Sequence, residues 1–409
     1  MTILTTKSYD AGMAHAYVNR TLEGPLAKRA SEYPVVVVTG PRQSGKTTLV
    51  RHAFPNKPYV SLEDLDERAF AGSDPRGFLA RFPDGAILDE IQRAPGLPSY
   101  LQRLVDDDPR AGRFILTGSQ QFDLMAGIVQ SLAGRAALLR LLPLSCDELA
   151  AAGLLERGEP VDRFLLHGFY PTVHVRPIDR SAWLGNLVRT ALERDIRNLV
   201  NVRDLGDFER FLALCAGRTA NLVNLSSLGA DCGITHNTAK AWLGVLEAAF
   251  VIRMLNPWSR NTGKRLVKTP KLYFTDPGLA SWLLGIREPL QLAAHPLRGA
   301  LFETLVVSEL LKARVHNGLE PDLFFWREHN GFEVDVIREE GETLHPLEVK
   351  AAHTVPGDAL TALKRWQSAA PGMKIVPGEA TLVYGGSDTY DREGVRILPW
   401  HRAAEAAVA

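Results

Sequence analysis

The octapeptide Gly40-Pro41-Arg42-Gln43-Ser44-Gly45-Lys46-Thr47 constrains this chain more than any other feature. It follows the β-branched run Pro34 to Val38 and precedes the helix-like "TLVRHAF". Strand, glycine loop and helix start together form the context in which GxxxxGK[ST] binds phosphate. Loop N–H groups, added to the positive helix end, surround anionic oxygens. Gly40 and Gly45 supply backbone geometry that a Cβ would obstruct. The spacing predicts a triphosphate cradle over Gly40, Pro41, Arg42, Gln43, Ser44, Gly45, Lys46, Thr47 and Thr48. Lys46 is assigned to the β/γ phosphates and the Thr47 hydroxyl to Mg²⁺.

"DGAILDEIQRAP", Asp84 to Pro95, places Ile87 and Leu88 on a strand ending in Asp89-Glu90. An acid at such a strand end reaches Mg²⁺, and a following glutamate polarises the attacking water. The expectation is Asp89 for the metal and Glu90 for the general base. A third strand, within Arg113 to Phe122, leaves Thr117, Ser119 and Gln120 at the carboxyl edge of a parallel sheet, where ligands bind. Ser119 or Gln120 is the sensor candidate; a plain Gly118-Ser119 turn is the competing reading. Lys57 to Asp64 and Ala136 to Leu144 supply further strands. Arg135 is the catalytic arginine candidate for a phosphate in the same or a neighbouring subunit, with Arg140 as the alternative. A structural ion pair accounts equally well for either. Residues 1–150 therefore read as one α/β ATPase domain.

Hydrophobic residues make up 45% of the 409, enough to bury several cores without disulfides or metals. Cys146, Cys215 and Cys232 have no ligand spacing, which argues against zinc and suits a reducing cytosol. No apolar run approaches the roughly 18 residues of a membrane span, and "MTILTTKSYD" lacks the pattern of a secretory leader. The expected compartment is cytoplasmic. Lys+Arg and Asp+Glu balance at 47 each, so affinity for nucleic acid must come from local clusters.

Residues 151–206 read as a helical connector. Its amphipathic "WLGNLVRTALERDIRNL" carries Glu193, Arg194, Asp195 and Arg197 near one side. This reads as a solvated helix with local ion pairs; the other reading is a lid whose arginines face the nucleotide. Within 207–290, Asn221 to Ile252 has helix-turn-helix spacing. Ser226 caps a short helix, Gly233 turns, and Thr235 or His236 caps a longer helix. Ala239, Trp242, Leu243 and Leu246 form its buried stripe, with His236, Asn237, Lys240 and Ala241 outside. Between Trp258 and Lys271 stand Arg260, Lys264, Arg265, Lys268 and Lys271 without an acid. A basic hairpin beside a helix-turn-helix is the pattern of a winged helix. Lys240, Arg260, Lys264, Arg265 and Lys268 are the DNA-contact candidates, through phosphate rather than base edges. A winged helix used for protein packing is the alternative.

Residues 291–409 hold alternating "FEVDVI" and "PLEVKA" joined by "EEGET". Pairing symmetric about the Gly341–Glu342 link puts Asp335 opposite Glu348 and Glu333 opposite Lys350, on one face. Opposed acids repel unless a cation lies between them. In one reading Asp335 and Glu348 hold Mg²⁺ or Mn²⁺ before a phosphodiester, with Lys350 stabilising the attacking water and Glu303 adding a ligand. In the other, Glu333 and Lys350 form an ion pair on a half-exposed sheet.

Together these stretches resemble a large bacterial and archaeal group of AAA-type ATPases whose C-terminal half is a domain of unknown function. The resemblance covers nearly the whole chain, through "VTGPRQSGKTTL", "ILDEIQ", "LTGSQQF", "LAGR", "GFYP", "LERDIRNL", "KRLVKTPKLYFTDPGLA" and "EVDVI…LEVK". It implies ATP as the nucleotide. The tail is similar to the PD-(D/E)xK nuclease fold, with Asp335 as first acid and Glu348-x-Lys350 as the ExK; Val334 stands where active nucleases carry proline. The expected architecture is α/β: an AAA-type P-loop NTPase with a parallel sheet, a helical connector, a winged helix and an α/β restriction-endonuclease-like domain. The resemblance leaves two functions: an ATP-dependent, DNA-acting homo-oligomer with a nuclease tail and a second Mg²⁺ or Mn²⁺, or a nucleotide switch or scaffold with a silent tail.

Overall fold

Tyr33, held extended before Pro34, ends the first helix Glu23–Glu32 and launches the β-branched run into a strand. The structure is a computed structural model and describes residues 17–119, 131–156, 158–192, 205–259 and 267–408. Five strands form the first sheet: β1 (Val35–Thr39), β2 (Tyr59–Ser61), β3 (Ile87–Asp89), β4 (Phe114–Gly118) and β5 (Ala136–Arg140). Their order is β2-β3-β4-β1-β5, every pairing parallel. Val35 and Val37 pack with Leu88, Leu101 and Leu116 on one face, and Val36 and Val38 with Leu26, Leu49 and Ile115 on the other. Burial on both faces is why β1 reads as a continuous apolar run rather than an alternation. β4 lies between β1 and β3, so the acidic strand end stands one strand away from the phosphate loop, on the same edge.

A second, antiparallel sheet runs β6-β8-β7, from β6 (Asn221–Leu222), β7 (Ile252–Leu255) and β8 (Lys271–Phe274). Beside it the helices Leu225–Cys232 and His236–Ala248 meet at Gly233, which takes a left-handed φ of 79°. Asn224, not Ser226, caps the first helix by accepting the Ser227 N–H, because Ser226 already lies inside it. Thr235 caps the second by accepting the Thr238 N–H at 3.1 Å. Ala239, Trp242, Leu243 and Leu246 are buried as the spacing predicts, Trp242 edge-on to Phe208 and Phe211.

The third sheet is mixed. It holds β9 (Leu323–Arg327), β10 (Glu333–Glu340), β11 (Thr343–Lys350), β12 (Val376–Pro377), β13 (Ala380–Tyr384), β14 (Tyr390–Arg392) and β15 (Val395–Pro399). The order is β14-β15-β13-β11-β10-β9, with β12 on β11. The β10–β11 register runs from Val336↔Leu347 to Glu340↔Thr343, the symmetric hairpin expected from "EEGET". The helix Arg298–His316 is buried on nearly every side and touches β5, β8 and β11, one strand from each sheet. Burial on nearly every side, with Glu309 and Lys312 paired at 2.7 Å inside, explains its weak amphipathic pattern. Among the described residues no helix is long and apolar enough to cross a membrane.

Candidate functional site

The carboxyl edge of the first sheet gathers the predicted phosphate-binding residues. Gly40 has φ 154°, and a Cβ there would meet the Leu141 carbonyl oxygen at 2.0 Å. Gly45, at φ 94°, starts the helix Lys46–Ala53, and no side chain caps that start. Its first N–H groups therefore face outward as anion donors. Lys46 lies buried over the loop and donates to the carbonyls of Gly40 (3.1 Å) and Pro41 (2.8 Å). The Ser44 hydroxyl is buried without a hydrogen-bond partner. Thr47 Oγ1 donates to both oxygens of Asp89, at 3.0 and 3.1 Å. Tyr59 donates to Asp89 Oδ2 at 2.8 Å, and the Thr117 hydroxyl to Oδ1. Burial, then the bond and charge of Asp89, push the Tyr59 phenol up to about 12. A hydroxyl and a carboxylate in contact beside an anion cradle fit a hard divalent ion bridging protein and phosphate.

Glu90 follows in a left-handed conformation, φ 57° and ψ 47°, which a non-glycine residue adopts at a cost of about 1–3 kcal/mol. That turn brings its carboxylate to β4. Ser119 Oγ donates to Glu90 Oε2 at 3.1 Å, and Gln92 Nε2 donates both to that oxygen and to Ser119 Oγ, the latter at 3.1 Å. Ser119 therefore sits against the Glu90 carboxylate rather than in the phosphate cradle. Gln92 was legible only as part of "DEIQ"; nothing in its spacing announced this role.

A cavity of about 680 Å³ opens over the loop. Arg42, Gln43, Lys46, Thr47 and Glu90 line its phosphate side; Val18, Leu144, Pro171, Val175, Trp183 and Leu187 line an apolar side. The connector thus covers the cavity. It does so with Trp183, Asn186, Leu187 and Thr190, while Glu193, Arg194, Asp195 and Arg197 lie outside the described residues. Sequence reasoning also missed Arg20, whose buried guanidinium donates to the carbonyls of Ser44 (2.8 Å) and Leu142 (2.7 Å) and pairs with Glu148 at 3.0 Å. It clamps the loop from behind.

Other candidates sit elsewhere. Arg135 immediately precedes Ala136, the register partner of Val35, at the amino edge of the sheet. Five residues of strand separate it from the loop edge, about 16 Å at the usual rise. It pairs instead with Asp106, so a role toward a phosphate of its own chain is corrected to a structural ion pair. Arg140 reaches the right edge but faces Glu320 at 3.7 Å. Lys240 and Lys268 are exposed, as are His236 and Asn237. Gln120, Arg260, Lys264 and Arg265 lie outside the described residues.

The C-terminal carboxylates do converge. Extending the register by one position sets Asp335 across from Glu348. Val349 N–H donates to Asp335 Oδ2 at 2.9 Å, and Lys350 pairs with Glu348 at 2.8 Å. The expected Glu333–Lys350 pair is corrected: Glu333 bonds Arg327, its register partner on β9, at 2.7 Å, and Lys271 at 2.5 Å. Lys350 reaches the same-face neighbour two residues back, which is nearer than the cross-strand acid. Glu303 accepts from Tyr273 (2.5 Å) and Lys271 (3.2 Å). Among the described residues no group of three or more His, Cys, Asp or Glu is arranged to hold a metal ion.

Comparison with known proteins agrees with the first site. Residues 32–150 match the family described as AAA domain, and 158–290 and 298–403 match two domains of unknown function, DUF8612 and DUF4143. Uncharacterized proteins of Mycobacterium bovis and Mycobacterium tuberculosis are each 32% identical over 334 residues, 80% of this chain and 73% of theirs. Among solved structures, a Walker-type ATPase of Pyrococcus abyssi is similar at 17% identity and a TM-score of 0.44, covering 64% of this chain and 94% of that one. A signal-transduction ATPase with a tetratricopeptide repeat sensor from Pyrococcus horikoshii scores 0.24 at 12% identity, over 74% of this chain and 48% of its own. This chain carries an AAA domain followed by a DUF8612 and a DUF4143 domain, and it belongs to the same family as the two mycobacterial proteins.

Proposed function

We propose that the chain hydrolyses ATP in the cavity between the phosphate loop and the connector, and that the connector carries the nucleotide state to the rest of the molecule. The observation that carries this reading is the Thr47–Asp89 contact at 3.0 Å beside an uncapped helix start. Thr47 and Asp89 would hold a divalent cation, which would supply charge neutralisation for the phosphate. Lys46 exchanges neutral carbonyls for phosphate oxygens, a gain in charge pairing. Glu90 takes the proton of the attacking water on the oxygen that Ser119 and Gln92 leave open. The purine lies against Trp183 and Pro171, on the apolar side of the cavity.

The tail acts in this reading as a nuclease-like scaffold that does not cut. Its acids are already bonded to lysines, an arginine and the backbone. The exposed Lys240 and Lys268 favour one addition, a winged-helix surface touching DNA phosphates.

Binding of a fluorescent ATP analogue with Mg²⁺ tests the central reading. Removing the lysine's charge-assisted bonds in Lys46→Ala should weaken retention about 10- to 100-fold. Equal retention by parent and variant would sink it. For the surface, Lys264→Ala with Arg265→Ala should lower duplex affinity and the slope of its salt dependence by about 2; an unchanged slope removes the DNA role.

A further inference from the structure

We propose that the Lys271 ammonium is the resident cation of the C-terminal carboxylate cluster and stands in place of a divalent metal. Lys271 comes from β8, in a different sheet from Asp335 and Glu348. It is 3% exposed, and its Nζ lies 2.5 Å from Glu333 and 3.2 Å from Glu303. Tyr273, on the same face of β8, donates to the same Glu303 oxygen at 2.5 Å. One strand thus places two donors on Oε1 of the acid that a hard cation would need as a further ligand beside Asp335 and Glu348.

The remaining oxygens tell the same story from the other side. Asp335 Oδ2 is taken by the Val349 N–H, and Glu348 Oε1 by Lys350. Glu348 Oε2 is buried and has no hydrogen-bond partner, in a residue only 6% exposed. Two ammoniums compensate the cluster, Lys271 on Glu303 and Glu333 and Lys350 on Glu348. Burial works against the Lys271 charge, but Glu303, Asp335 and Glu333 outweigh it and hold this ammonium above its usual range. A divalent ion entering here would face Lys271 at close quarters, and like-charge repulsion in a desolvated site excludes it.

The inference concerns the tail alone and does not depend on ATP hydrolysis. The test uses the full chain without nucleotide and Mn²⁺ as the only probe, by calorimetry and by thermal midpoint. Parent and Asp335→Asn should give the same Mn²⁺ isotherm. Lys271→Met should gain a site that disappears in Lys271→Met with Asp335→Asn, and Mn²⁺ should raise its midpoint. The proposal is overturned by Asp335-dependent Mn²⁺ binding in the parent, or by a folded Lys271→Met that gains none. Should Lys271→Met fail to fold, the comparison of parent with Asp335→Asn still decides. ATP binding through Lys46 is read separately in each protein.

Discussion

Two buried lysines divide the molecule. Lys46 and Lys271 are almost equally inaccessible, at 5% and 3% exposure. Lys46 rests on two neutral carbonyls of its own loop, whereas Lys271 is gripped by Glu303 and Glu333. Carboxylates in a desolvated setting hold a buried ammonium in place. The second region has therefore closed its charges internally, while Lys46 lines the cavity over the phosphate loop. Burial alone does not separate a working lysine from a structural one; the partners do.

The largest expected effect tests the first region. Glu90→Gln should lower ATP turnover about 10²- to 10⁴-fold while ATP binding stays; phosphate release measured beside analogue binding checks both. Turnover near the parent's would mean that another group takes the proton. Next comes stability. Lys271→Met should cost about 3–5 kcal/mol in urea unfolding, because the acids it leaves are buried. Lys46→Met should cost less, about 1.5–3 kcal/mol, the worth of hydrogen bonds to a charged group. Equal costs would erase the contrast between the two lysines.

A smaller effect is expected at the base side of the cavity. Trp183→Ala should raise KM for ATP about 5- to 100-fold, the worth of one base–aromatic stack, with kcat little changed. The mildest concerns pH. Burial, then the neighbouring Asp335, push the Glu348 carboxyl up to about 8, and Glu303 moves the same way to about 7. Unfolded glutamate titrates near about 4.3. Between those values the folded chain binds more protons, so stability is lost as pH rises through the folded values. The urea midpoint should fall from pH 6 to pH 9, and Glu348→Gln should flatten the fall. A midpoint that climbs over that range would contradict the closed cluster.

Both regions meet one element. The helix Arg298–His316 carries Glu303 into the C-terminal cluster and, about 20 Å along its axis, His316 against the first region. There His316 Nε2 accepts the Leu142 N–H at 3.1 Å and its ring faces Glu148, the partner of Arg20, at 3.4 Å. Arg20 in turn holds the carbonyl of Ser44 in the phosphate loop. One helix therefore carries contacts that lead to both the loop and the tail.

How much of this was legible depended on distance along the chain. The strand, glycine loop and helix of residues 34–54 are contiguous, so steric rules and the helix start place the cradle without tertiary help. The same holds for the β10–β11 hairpin, whose short turn and period of two set Asp335 across from Glu348. Arg20 carried no such signal, because the Leu142 carbonyl it holds lies 122 residues on. Nor did Lys271, which reads as one more basic residue until β8 packs it against an acid 32 positions later. Arg135 shows the reverse: a residue type suited to phosphate, placed by the parallel register at the wrong edge. Local spacing determined which residues share a loop or a strand face, because backbone geometry repeats over a few residues. Which charges meet across sheets was decided only by the tertiary fold, because desolvation makes each buried charge take whatever partner packing brings to it.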